Sequence, residues 1–280
     1  MVLQGGLGNQ LFIYFAARFI EETYQKKIVF ISHIPNRLHE IGIKSTYPNY
    51  VFPKLALLFL SKIFRKLSLI RISSGYFHFC MNVGYENLDH KINNLKFLSG
   101  YFQSTKYIEN SSLSKNDLND IKVFFSRQST KGLNYIVKDS IAVHIRRGDY
   151  LLEVNNYFGL LSHEYYSEAI ASILSLRKFD RIYLFSDSPI SSTIKSKLKI
   201  TFSKIDVVDA YEHNITDVST LAILSHFEGH VISNSTFSWW GAYLANDNKI
   251  VVAPNVWFKN HLEPNRIYPE NWITAKSAWE

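Results

Sequence analysis

In the second half of the chain, short apolar runs alternate with longer stretches of helical spacing, with unusual regularity. Ile141 to Ile145 reads as a strand and His163 to Leu176 as a helix. A strand at Arg181 to Phe185, a helix from Pro189 to about Leu198 and a strand at Lys204 to Val208 come next. A helix at Thr216 to Phe227, a strand at His230 to Ser233, a helix at Phe237 to Ala245 and a strand at Lys249 to Ala253 complete the series. Strands alternating with helices imply parallel βαβ units, because a parallel pairing needs a crossover long enough to hold a helix. Ser188-Pro189 marks one helix start, with serine as cap and proline at the first helical position. This half reads as a Rossmann-type domain.

The first half is patterned less cleanly. Gly5-Gly6-Leu7-Gly8-Asn9-Gln10 is a glycine-rich turn, Leu11 to Ile20 a helix and Lys27 to Ser32 the next strand. Strand, glycine turn, helix and strand make a second nucleotide-fold signature, although the stretch before the glycines is short against a typical strand of about five or six residues. From about Pro35 to Tyr107 no period is clean, and Gly100-Tyr101-Phe102-Gln103-Ser104 reads as a loop facing a cleft. Ser111 to Lys138 is polar and helix-friendly, and is expected to carry the crossover between domains. The expected division is a first domain over 1–135, a second over 136–260, and a tail over 261–280 that packs back. There is no internal repeat and no low-complexity tract.

Composition narrows the classes. A chain of 280 residues, 46% hydrophobic and 20% charged, can bury a real core in one large or two medium domains. The 17 Tyr and 20 Phe suit sugar-binding faces as well as cores, and the core is the expected home of most of them. The single cysteine, Cys80, excludes an intramolecular disulfide framework, fits a reducing compartment and leaves little scope for cysteine or zinc chemistry. A formal charge of +7 points to an anionic partner: a nucleotide, a membrane surface or nucleic acid. No recognition motif or aromatic-basic repeat supports nucleic acid. Met1-Val2-Leu3-Gln4 runs straight into the glycine turn, without the basic and apolar regions of a signal peptide, and no run reaches the ~18 apolar residues of a span. A cytoplasmic protein is expected. Val51 to Ile72 reads as a basic amphipathic helix, either packed on its own domain or making a peripheral contact with anionic lipid at the inner face of a membrane.

The chemistry centres on Val143-His144-Ile145-Arg146-Arg147-Gly148-Asp149-Tyr150-Leu151-Leu152. A buried strand ends there and delivers two guanidiniums to its carboxyl edge, where open α/β sheets bind ligands. Paired arginines suit a diphosphate, since each offers a planar fork of donors to phosphate oxygens. The same residues also read as a surface Arg-Asp cluster with no ligand. The glycine turn with Asn9 reads as a plain tight turn or as a place where backbone approaches phosphate or sugar; its spacing is neither that of a dinucleotide fold nor that of a P-loop. Asp187, in Phe185-Ser186-Asp187-Ser188-Pro189, either caps a helix or holds a ribose or an arginine, and Asp217 has the same two readings. Ser233-Asn234-Ser235-Thr236-Phe237-Ser238-Trp239-Trp240-Gly241 sets four hydroxyls and an amide between a strand end and a helix start, where they can donate to phosphate oxygens. Its two tryptophans read as core rather than as a sugar platform. No Asp-x-Asp occurs, so arginine rather than a carboxylate-held metal would have to neutralise a diphosphate leaving group.

Taken together and in order, Gly5 to Gln10, His144 to Tyr150, Phe185-Ser186-Asp187 and Ser233 to Ala242 resemble the α-1,2-fucosyltransferases of glycosyltransferase family eleven. The resemblance implies a GT-B-like α/β fold of two Rossmann-type domains with parallel sheets facing a cleft. It implies transfer of L-fucose, with inversion, from the donor substrate GDP-β-L-fucose to the 2-hydroxyl of a galactose-terminated oligosaccharide or lipid-linked glycan, without a metal or other cofactor. A different GDP-sugar or acceptor position on the same fold is the alternative. By that resemblance Arg146 makes the essential diphosphate contact, and Arg147 is secondary. His144 lies near the guanosine, Asp217 faces the guanine, and Asn234, Ser235, Thr236 and Ser238 face the phosphates, with Asp187 on the same donor side. Asn9, beside Gly8, lies across the cleft near the β-phosphate and the acceptor. Asp149 and Tyr150 brace the arginines.

Overall fold

In the computed structural model the described residues are 1–32, 34–43, 49–51, 77–80, 85, 87–89, 92, 97–127, 137–152, 157–210, 216–259 and 267–280. They form two compact units, Met1–Ile121 and Lys122–Glu280. Apart from Val51, the basic amphipathic stretch 51–72 lies outside the described residues. Among the described residues no helix is long and apolar enough to cross a membrane.

The first unit begins with β1 (Val2–Leu3), followed by helix α1 (Leu7–Tyr24). Strands β2 (Phe30–Ser32) and β3 (Asn49–Val51) join β1 in a parallel sheet of order β1-β2-β3. A second parallel pair is formed by β4 (Phe77–Cys80) and β5 (Phe97–Gly100). A short helix α2 (Lys106–Glu109) follows, and then α3 (Ser112–Arg127), which runs through the division between the units. Helix α1 starts at Leu7 rather than at the expected Leu11. Gly5 adopts φ +76° and Gly6 is extended as the N-cap, so the chain reverses in two residues. Gly8, Asn9 and Gln10 are therefore helical, not part of a loop.

The second unit is a six-stranded parallel sheet. Its strands are β6 (Ser140–Ile145), β7 (Arg181–Ser186), β8 (Asp206–Asp209), β9 (Gly229–Val231), β10 (Ile250–Pro254) and β11 (Ile273–Ala275). Their order is β11-β10-β9-β6-β7-β8. From the central β6 the chain moves outward through β7 and β8, then returns to the other side of β6 and moves outward again. This is the doubly wound order, and it places a topological switch point between β6 and β9. Helices α4 (His163–Leu176), α5 (Ser192–Thr201), α6 (Asp217–Leu224) and α7 (Thr236–Tyr243) make the crossovers.

Every residue of β6 is buried, because helices cover both faces of the sheet. Ile141, Val143 and Ile145 pack on one side with Tyr165, Tyr166, Ile170 and Ile173 of α4 and with Ile194 and Leu198 of α5. Ala142 faces the other way, with Tyr183 and Phe185 of β7 and Ile223, Leu224 and Phe227. Parallel strands flanked by helices in both units give the expected α/β, GT-B-like architecture.

Two local readings change. Ser188 does not cap a helix at Pro189, because its hydroxyl accepts a hydrogen bond from the Gly148 amide at 3.1 Å. The helix starts three residues later, with Ser191 as N-cap. The edge strand β11 lies in the stretch expected only to be a tail packing back, and it pairs in parallel with β10.

Candidate active site

The carboxyl end of β6 carries His144, Arg146 and Arg147, and a 3-10 turn, Gly148–Leu151, follows at once. Asp187, just past β7, clasps the two strand ends together. Its Oδ1 accepts from the Arg147 backbone amide at 2.9 Å, and its Oδ2 pairs with Arg146 Nη1 at 2.6 Å. Gly148 sits at φ +24°, and a Cβ there would collide with the Asp187 carboxylate, so the clasp needs glycine.

Arg146 is held from three sides. Asp187 takes Nη1, Asp149 takes Nη2, and the guanidinium lies 4.9 Å from the centre of the Tyr150 ring. Tyr150 is itself fixed. Its ring stacks on Phe158 at 4.8 Å and its hydroxyl donates to the Asn234 carbonyl at 3.1 Å. Arg147 turns elsewhere, its side chain 11% exposed and paired with Glu280. The Nε of each arginine is buried without a hydrogen-bond partner. Donors are thus still unspent at this point, next to a neutralised pair of positive charges.

Across the switch point, β9 leads through Ile232 to Ser235 into α7. Ser235 is the N-cap, but its side chain makes no capping bond, so the first turn of α7 keeps its amide donors without a side-chain partner. Thr236 opens the helix beside it. Asn234 and Ser238 have other work. The Asn234 amide donates to the carbonyls of Phe158, Gly159 and Trp257, and the Ser238 hydroxyl to those of Ser235 and Ser233. Both side chains shape the loop, and their donors are committed to backbone. Trp239 and Trp240 are fully buried, as their core reading expects, and the Trp239 indole donates to the Ile267 carbonyl at 3.1 Å.

His144 is buried and pairs through Nδ1 with the Ser233 hydroxyl at 3.0 Å. Burial drives its pKa down to about 4. The charges of Asp187 and Asp217 oppose this and that of Arg146 adds to it. Asp217 itself is exposed in the first turn of α6, where Thr216 provides the cap. His230, the β9 partner of Ala142, is also buried, with its pKa lowered to about 3 by burial. Both folded values lie below the ordinary histidine value near 6.5. The unfolded chain therefore takes up protons that the folded one refuses, and stability falls as pH drops from about 6.5 towards 4 and 3. Thermal unfolding at pH 7.5 and pH 5 should show a lower midpoint at pH 5, and His230→Gln should narrow the gap. Equal midpoints would contradict these assignments.

In the first unit, Asn9 is the third residue of α1, and its Oδ1 accepts from Gln103 Nε2 at 3.0 Å. Gly8 is buried in the same turn. A Cβ on Gly5 would stand 2.6 Å from Asn9 Nδ2, so this glycine makes room for the asparagine amide.

The structure therefore gathers His144, Arg146, Arg147, Asp149, Tyr150 and Asp187 at one strand edge, with Ser235 and Thr236 at the neighbouring one. In this second unit Ser188 and Glu280 take part without having been foreseen in these roles, and in the first unit Gln103, from the loop expected to face a cleft, holds Asn9. Glu280 reaches Arg147 over a separation of 133 residues, which leaves no local sequence signal.

The sequence profile of Glycosyl transferase family 11 matches residues 76–276. The span includes the arginine edge and the β9–α7 loop but not Asn9. An alpha-1,2-colitosyltransferase of Escherichia coli is 29% identical to this chain over 296 residues, covering 97% of this chain and 96% of its own length. The O-antigen biosynthesis glycosyltransferase WbnK of Escherichia coli is 25% identical over 313 residues, covering 97% and 98%. Among solved structures, E. coli heptosyltransferase WaaC with ADP aligns over 99% of this chain and 92% of its own, at 11% identity and a TM-score of 0.49.

Proposed function

The chain belongs to glycosyl transferase family 11, and we propose that it transfers a sugar from a GDP-activated donor to a glycan hydroxyl, with inversion at the anomeric carbon. The observation that carries the reading is the position of Arg146: at the switch point of a doubly wound sheet, on an aromatic ring, with a buried Nε still unpaired. A diphosphate supplies acceptors for such a group. Asp149 occupies that place as an exposed carboxylate, and an ion pair of that kind contributes only about 0–1 kcal/mol. An incoming phosphate displaces it at little cost, while Asp187, bonded to both backbone and guanidinium, stays and keeps Arg146 aimed.

The α7 amides with Ser235 and Thr236 take the phosphates from the other side. His144 and Asp217 lie towards the guanosine, with His144 neutral at physiological pH. Asn9 serves the acceptor side. As the bond from the anomeric carbon to the β-phosphate oxygen breaks, negative charge builds on departing GDP, and Arg146 is fixed where it builds. The acceptor hydroxyl oxygen forms the new bond on the opposite face of the sugar and gives up its proton, which passes to water as GDP leaves. No divalent metal takes part in this scheme, since arginine carries the neutralisation.

The donor sugar we assign first is L-fucose, and the acceptor position the 2-hydroxyl of a terminal β-galactoside. The colitosyl transfer in one relative's name favours a second reading, in which the GDP-linked sugar differs from fucose while the α-1,2 linkage is kept. A donor panel with lactose separates them: NMR of the product should show an α-1,2 linkage, and the donor with the highest kcat/KM identifies the sugar. A product linked elsewhere would overturn the acceptor assignment, and use of UDP-sugars in preference to GDP-sugars would overturn the donor assignment.

A further inference from the structure

Two buried glutamines in the first unit are treated differently. Gln10 is fully satisfied: its amide nitrogen donates to the Gly5 and Pro35 carbonyls, and its oxygen accepts from the Arg37 amide. Gln103, only 6% exposed, donates to Asn9 Oδ1 but has a buried Oε1 with no hydrogen-bond partner. Buried polar atoms are nearly always paired, and an orphan of this kind marks a missing partner. Turning both amides over would exchange donor for acceptor and leave the Gln103 nitrogen unpaired at that position instead of the oxygen. A hydroxyl satisfies either arrangement, since it both donates and accepts.

The surroundings also point to a ligand. Gln103 follows β5 and Asn9 follows β1, both at carboxyl ends of parallel strands, and Gln4 bridges the two ends by donating to the Gly100 carbonyl. The first turn of α1 has no side-chain cap at Gly6, and Asn9 Nδ2 has no partner among the described residues. Phe102, just before Gln103, is held at φ +51°, a left-handed conformation that a bulky residue rarely adopts. Its ring is fully buried edge-on to Tyr107. The fold accepts that strain directly beside Gln103.

We propose that Gln103 and Asn9 together form a binding site for one hydroxyl of the acceptor sugar, with Gln103 also fixing the orientation of the Asn9 amide. The proposal rests on the glycosyl transfer proposed above, and goes beyond it by adding Gln103 to Asn9 as a residue that recognises the acceptor.

The test uses the full chain with GDP-fucose and lactose. Gln103→Met keeps the volume and removes both polar atoms. It should raise the KM for lactose about tenfold or more, the worth of one well-placed hydrogen bond. The KM for GDP-fucose should stay within about twofold. Its melting temperature should change little, because the orphaned Oε1 leaves together with the bond that Gln103 donates to Asn9. An unchanged KM for lactose, or a change confined to GDP-fucose, would overturn the site. If the wild type transfers nothing to lactose, the functional reading is at fault, and sugar binding is read directly instead. The side-chain amide signals of Asn9 and Gln103 in 15N spectra should then shift with lactose or methyl α-mannoside, and should be unmoved by matched concentrations of ethanol. Signals that ignore both sugars, or answer ethanol equally, would mean the partner is only water.

Discussion

Arg146→Lys should cost about 3 to 4 kcal/mol of transition-state stabilisation, a fall of roughly two to three orders of magnitude in kcat/KM. Lysine keeps the charge and loses the geometry. Arg146 spans Asp187 with one nitrogen and Asp149 with the other, over the face of Tyr150, and keeps Nε in reserve. An ammonium is a point charge that reproduces none of this fork. The residue lies beyond the last hydrogen-bonded position of β6, so the sheet and the melting temperature should survive the change. Arg147→Lys should be milder, because Arg147 is tied to Glu280. Steady-state kinetics of the two variants beside the wild type check this. A lysine enzyme with near-normal turnover would remove Arg146 from the chemistry.

Trp239→Ala should lower the unfolding free energy by about 3–5 kcal/mol, a large share of the ~5–15 kcal/mol that holds a typical protein folded. The ring is fully buried, stacked on Tyr243 at 4.5 Å and edge-on to Trp240 at 4.9 Å. Alanine leaves a cavity and strands the Ile267 carbonyl that the indole now satisfies. Helix α7 is anchored by this contact, and its first turn is proposed to take the phosphates, so activity should fall with the folded fraction. Denaturant unfolding measures the loss. A loss below about 1 kcal/mol would mean that the indole is not part of the core.

The second unit was legible because its strands are buried on both faces and its helices are long enough to show their period. His163–Leu176 appears where the spacing puts it, and five of the six strands lie within a few residues of expectation. What escaped were features without a period or with long reach. The edge strand β11, in the stretch expected only to be a tail packing back, was not read, although β1 was read as a short strand before the glycine turn. Gly5 and Gly6 compress the turn, so that Asn9 stands on a helix rather than in a loop. The arginine edge was visible as a motif, but its supports were not. Asp187 could equally have been a cap, Ser188 looked like one, and Glu280 and Gln103 meet their partners across 133 and 94 residues. Motif residues advertise the chemistry locally, whereas the side chains that aim them are chosen by tertiary packing.

The central claim is that this chain breaks a GDP–sugar bond at the arginine edge in response to a glycan hydroxyl. Its most direct test is GDP release from GDP-fucose by the purified chain in EDTA, with and without a panel of β-galactosides. Release that depends on the acceptor and persists in EDTA is the predicted result. Absence of both release and GDP binding would contradict the account.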